Sequence, residues 1–208
     1  MQAFVWDKFV YIKCPKNGCM TYSTLLQKNG WVPFNLFENT LDLQNYFIWG
    51  HLTNPEQRHT KGVAQYLINN PDIKLDDLTG KILVSGVFDE HTYSLSMMLG
   101  HLFHYSINWI PLDLTITNWS NPENIHDMNG DDLTNNFFKE YNINISITLA
   151  DRINVTPADK FGIRKEINKY KIKYSNNYQK LVKNFLEPDI ILYNQIFEKF
   201  RKKYGSVI

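Results

Sequence analysis

The residues with the clearest chemical potential lie in one ten-residue run, Cys14-Pro15-Lys16-Asn17-Gly18-Cys19-Met20-Thr21-Tyr22-Ser23. A short β-prone tetrad, Phe9 to Ile12, leads into it, and a segment of helical composition, Thr21 to Lys28, leads out. A helix leaves its first backbone N–H groups without intrahelical acceptors. Its aligned peptide dipoles make the same end partly positive. A strand that delivers the chain to such an end builds an oxyanion site. Gly18 lets the backbone curl close to the anion. Lys16 adds a full charge, Thr21 and Ser23 can donate hydroxyl hydrogens, and the N–H groups from Asn17 to Thr21 form the cradle. The chemistry to expect is the gripping of a phosphate or sulfate group.

The elements that would position this run can be read along the chain. Tyr46 to Leu52, Ile82 to Val84 and Ile107 to Ile110 are further strand candidates. Asn54-Pro55 signals the start of a helix running to about Leu67, with Asn54 as cap and Pro55 in the first turn. Helical composition recurs over Tyr93–Phe103 and Leu133–Tyr141, and Trp119–Gly130 reads as a polar loop or lid. Near the C-terminus, Tyr178, Leu181, Val182 and Phe185 share one helix face, and Tyr193, Ile196, Phe197, Phe200 and Tyr204 share another, with Pro188 expected to separate the two helices. Strands alternating with helices imply an α/β fold, a three-layer α/β/α arrangement around a central parallel sheet. Ligands then bind at the carboxyl ends of the strands, where the Lys16 run falls.

Composition sets bounds on function. The 208 residues fit one domain, and 43% hydrophobic with 21% charged residues describes a folded globular chain. No stretch approaches the roughly 20 apolar residues that span a bilayer. The first residues lack a basic start followed by an apolar run, so a cytoplasmic protein with reduced Cys14 and Cys19 is expected. No Cys/His spacing suits zinc, so no metal is expected. From Arg164 onward there are 11 Lys/Arg against 4 Asp/Glu, which leaves the preceding part acidic. This basic tail interleaves with tyrosines, but at helical spacing such rings read as core, which argues against a nucleic-acid partner.

The order of lysine and glycine narrows the anion site. A Walker A loop needs Gly-x-x-x-x-Gly-Lys-Ser/Thr, whereas here Lys16 precedes Gly18. That order resembles the 5′-phosphosulfate loop of sulfotransferases, Pro-Lys-x-Gly-x-x-Ser/Thr. Carbohydrate-type members also carry Arg-Asp/Asn-Pro-x-x-Arg-x-x-Ser after a later strand. This chain reads Thr53-Asn54-Pro55-Glu56-Gln57-Arg58-His59-Thr60-Lys61, with Asn54, Pro55 and Arg58 matching, and Thr53 and Lys61 departing. Asp89-Glu90-His91-Thr92, Arg152-Ile153-Asn154-Val155-Thr156 and Leu192-Tyr193 are similar to later family elements.

The resemblance implies the P-loop NTPase-like sulfotransferase fold. It also implies transfer of a sulfuryl group from 3′-phosphoadenosine 5′-phosphosulfate (PAPS) to a hydroxyl or amine acceptor, with a glycan among the candidates. Lys16 would stabilise charge on the departing phosphate, and Asn17, Gly18, Cys19, Met20, Thr21 and Tyr22 would hold the donor. Arg58 and Lys61 would face its 3′-phosphate, and Asn154 would border the nucleotide. A histidine suits proton transfer at neutral pH, so His91 is the expected general base, with Glu90 and His51 as alternatives. The departures at Thr53 and Lys61 keep a second reading open, a nucleotide- or glycan-binding protein that retains the fold without turnover.

Overall fold

The structure is a computed structural model that describes residues 1–36, 42–78, 92–100, 102, 106–113, 129–148, 151 and 162–204. The expected strand at Ile82–Val84, the segment 86–91 with Glu90 and His91, most of the polar loop before Gly130, and the 152–156 element with Asn154 lie outside the described residues. The chain forms two compact units, one of residues 1–53, 104–154 and 192–208, the other of residues 54–103 and 155–191.

The first unit is built on a five-stranded sheet in the order β3-β1-β2-β4-β5. Its strands are β1 (Gln2–Trp6), β2 (Phe9–Ile12), β3 (Val32–Asn35), β4 (Phe47–Leu52) and β5 (Asn108–Pro111). β2, β4 and β5 run parallel, as expected. β1, however, pairs antiparallel with both β2 and β3, so the sheet is mixed rather than parallel. The cause is local: Asp7-Lys8 forms a two-residue hairpin turn between Trp6 and Phe9, with Asp7 at φ 49°. All four residues of β2 are buried, as in a central strand covered on both faces.

Helices α1 (Cys19–Lys28) and α4 (Gly130–Glu140) share one hydrophobic cluster with this sheet. Tyr22, Leu25 and Leu26 of α1 and Leu133 and Phe138 of α4 pack with Phe4, Tyr11, Trp49 and Ile110. At these burials each such side chain contributes on the order of 1.5–3 kcal/mol. α4 closes tightly onto the sheet edge. A Cβ on Gly130 would lie 2.4 Å from the Leu112 Cα and 2.5 Å from its carbonyl oxygen.

The second unit contains α2 (Pro55–Asn69), the short α3 (Leu95–Leu99), α5 (Ile163–Lys173) and α6 (Ser175–Leu181). Val63 and Ala64 of α2 pack against Ile167, Tyr170, Tyr178 and Leu181. α3 is shorter than the expected Tyr93–Phe103 helix and stops at Gly100, whose φ is 51°. Pro188 does not separate two helices. A π-helical turn, Val182–Leu186, joins α6 to α7 (Glu187–Tyr204), and Pro188 sits in the first turn of α7. Proline lacks an N–H and displaces the carbonyl one turn back, and a π turn is the local adjustment that absorbs such a mismatch. Among the described residues no helix is long and apolar enough to cross a membrane.

Two ionic clusters organise this unit. Arg58 and Asp189, each about 1% exposed, pair at 3.4 Å. The Asp189 carboxylate also accepts from the Leu95 and Ser96 amides, and Arg58 Nη2 donates to the Tyr93 carbonyl. Burial pushes the Asp189 carboxyl up, while the Leu95 amide and Arg58 pull it back. In the other cluster, Lys171 Nζ donates to Thr60 Oγ1 at 2.5 Å and lies 4.5 Å over the Tyr178 ring. Tyr178 donates to the Glu56 carboxylate at 3.3 Å.

Gly130→Ala forces backbone against backbone, where no side chain can yield, and should cost about 1–3 kcal/mol in urea unfolding. A pH dependence is also expected, because burial lowers Lys171 from 10.5 to about 8. The unfolded chain therefore holds more protons across that window, and stability should rise as pH goes from about 8 to 10.5. The contribution of one such group has a slope of at most about 1.4 kcal/mol per pH unit. Lys171→Met should remove that part of the rise, read as the difference between wild-type and variant unfolding curves over the same pH range.

Candidate anion site

The run from Cys14 to Tyr22 leaves the carboxyl end of β2 and enters α1, as the sequence led us to expect. The Asn17 amide donates to the Cys14 carbonyl at 3.3 Å, Pro15 occupies the second position, and Lys16 has φ 63°. This is the pattern of a type II turn, whose third position favours glycine. A lysine there costs about 1–2 kcal/mol. Gly18 follows at φ 70° and serves as the N-cap of α1. A side chain at Gly18 would also meet the Leu112 Cδ1 at 2.8 Å. One donor of the expected cradle is therefore corrected: the Asn17 N–H is spent inside the turn and cannot face an anion.

The start of α1 differs from those of α2 and α4. α2 is capped by the Asn54 side chain with Glu56 in its first turn, and α4 by Asn129 in a capping box with Asp131 and Asp132. α1 has no side-chain cap and no acidic residue in its first turn. Cys19 and Met20 occupy its first two positions, where backbone N–H groups have no intrahelical acceptor. Ser23 is not a donor to the site, because its hydroxyl goes to the Met20 carbonyl at 3.2 Å. Lys16 and Cys19 are half-buried, Gly18 and Met20 are exposed, and neither cysteine is in a disulfide.

Asn17 supplies the second mark of the site. Its side chain is 1% exposed, and its Oδ1 accepts from the Thr53 hydroxyl at 2.8 Å. Its Nδ2 is buried with no hydrogen-bond partner. A buried amide N–H left this way costs roughly 1–3 kcal/mol, so it is a standing donor for an added acceptor. Thr53, which departs from the sulfotransferase pattern, thus fastens the turn to the end of β4. The signal for this was a short polar residue just after a strand, at the edge where the turn also arrives.

Behind α1 lies a directed hydrogen-bond chain that the sequence did not reveal. Tyr22 donates to Asp131 Oδ1 at 2.8 Å, and Thr134 Oγ1 donates to the Gly130 carbonyl at 2.7 Å. Thr134 has then spent its only hydrogen, so His51 must donate to it from Nε2, at 3.1 Å. The Nδ1 of His51 consequently accepts from the Tyr11 hydroxyl at 3.3 Å. His51 is fully buried, stacks on Tyr22 at 3.6 Å, and is held far below the ordinary histidine range by burial. It is a neutral core residue that fixes α1 against β4 and α4, not a base open to substrate. Across the edge, Tyr193 donates to Asp113, just past β5, at 3.1 Å.

Two further expected ligands, Arg58 and Lys61, belong to the second unit. Arg58 lies in α2 of the second unit, where its guanidinium is engaged by Asp189 and the Tyr93 carbonyl, so the expected grip on a 3′-phosphate is corrected to an internal role. Lys61, also on α2, is half-buried. Among the described residues no group of three or more His, Cys, Asp or Glu side chains could hold a metal ion.

Lys16→Gly separates strain from binding. It should leave stability unchanged or raised by up to about 1 kcal/mol, because glycine accepts the left-handed backbone. It should also weaken sulfate or pyrophosphate binding severalfold, measured by calorimetry alongside urea unfolding. Compared with family models, curated proteins and solved structures, the chain matches none.

Proposed function

We propose that the chain binds a phosphosulfate-bearing nucleotide at the β2–α1 turn and transfers its sulfuryl group to a hydroxyl or amine acceptor. The observation that supports this most is the open start of α1, uncapped and free of acidic residues, beside the buried, unpartnered Nδ2 of Asn17. These donors suit the 5′-phosphosulfate end of PAPS, whose chemistry is the movement of a sulfuryl group from phosphate oxygen to acceptor. Lys16 and the Cys19 and Met20 amides would carry the negative charge that grows on the departing phosphate. The carboxyl edge of β2 and β4 is where such a ligand binds in α/β sheets. His91 remains the proposed proton acceptor, and the sequence similarity to sulfotransferases gives the reaction class.

The second reading is a nucleotide-binding protein without turnover. Arg58 favours it, because its pairing with Asp189 leaves the 3′-phosphate without the arginine the family pattern supplies. Calorimetry with adenosine 3′,5′-bisphosphate and with inorganic sulfate tests both. Binding of both ligands, lost in Lys16→Ala and Asn17→Ala, is expected. Release of the bisphosphate from PAPS by the wild type in the presence of a panel of hydroxyl- and amine-bearing glycan acceptors, weakened by about 10²–10³ in Lys16→Ala, would mark the transferase. Binding without release would mark the second reading, and no binding of either anion would end both.

A further inference from the structure

The first unit has a second concavity, at the opposite end of the parallel strands from the anion site. It lies where β2 and β4 begin, has a volume of about 460 Å³, and is lined among the described residues by Lys8, Gln44, Tyr46, Phe47, Tyr141 and Asn142, among others. That size lies within the range of small-ligand pockets. Its floor is aromatic: Phe47 and Tyr141 are 4.4 Å apart between ring centres, and Phe9 sits 5.8 and 6.2 Å from them. Its rim is polar. Lys8 is the cation there, and the Glu140 carboxylate is already paired with Lys203 at 3.1 Å.

We propose that this concavity is a binding site for a saccharide of one or two pyranose rings. Two observations lead to that ligand class. The side-chain amides of Gln44 and Asn142 are exposed on the rim, and each offers a donor and an acceptor, the complement of neighbouring sugar hydroxyls. The floor rings are tilted to one another, by 46° for Phe47–Tyr141 and 62° for Phe9–Phe47, so they form no parallel slot for a flat base. Such a surface suits the C–H face of a puckered ring instead. The backbone is fixed independently of any ligand, since Phe47 N–H donates to the Lys8 carbonyl at 2.8 Å and Asn142 stands at φ 54°. The site stands whether or not the chain transfers sulfuryl groups.

Titration of the ¹⁵N-labelled protein with cellobiose, lactose and diacetylchitobiose at millimolar concentration, with adenosine as a flat-ring comparison, tests the proposal. The side-chain amide resonances of Gln44 and Asn142 should shift with at least one saccharide. The double variant Gln44→Ala/Asn142→Gly should weaken that binding about tenfold, the worth of one or two hydrogen bonds. Glycine keeps the left-handed backbone at position 142, and unchanged sulfate titration at the α1 start would verify the fold. No shift with any of the three sugars, or shifts with adenosine alone, would overturn it.

Discussion

How the turn between β2 and α1 is held decides what the carboxyl edge of the sheet can do. Lys16 occupies a left-handed backbone position that an L side chain resists, and the turn around it is closed by the Asn17 N–H donating to the Cys14 carbonyl. The restraint comes from elsewhere in the unit. Thr53 ties Asn17 to the end of β4, Leu112 leaves room for nothing larger than glycine at position 18, and Tyr22 anchors the first turns of α1 to Asp131. Strain persists at a site only when its surroundings over-determine it. These separate contacts do so here, and all converge on the same short run of chain.

Charge is managed differently in the two units. The first leaves a positive helix end open, and it places its buried titratable groups, Tyr11 and His51, in a neutral relay whose proton positions are all dictated by carbonyl and carboxylate acceptors. The second closes its charges on themselves. Asp189 answers Arg58 and the start of α3, and Glu56 answers Tyr178 near Lys171. Buried pairs of this kind fix geometry more than they add stability. The arginine that motif spacing would send to a ligand is, in this fold, a structural strut.

The parts of the fold that were legible in the sequence carry strong local signals. The turn run, the Asn54-Pro55 helix start and the buried strands β2 and β4 all announce themselves through glycine, proline and apolar runs. β1 was missed because its pairing partner is set by the two-residue turn at Asp7-Lys8, which lacks the glycine that usually marks a hairpin. β3 was missed because Pro33 and exposed Val32 give it no core signature. The roles of Thr53, Asp131 and Thr134 depend on partners 36, 109 and 83 residues away, a range over which periodicity is silent. Arg58 was misjudged for the same reason, since its acid lies 131 residues downstream.

The π turn at Val182–Leu186 sets the angular phase of the whole C-terminal helix. Each residue added to a helix rotates the remainder of that helix by about 100°. Asp189 reaches Arg58 only with the widened turn in place. The C-terminal segment is therefore intolerant of single-residue length changes upstream, even though Glu198, Lys199, Arg201 and Lys202 give it an exposed, charged outer face. A deletion that regularised the helix would leave the side chains beyond it intact and still swing Asp189 off Arg58.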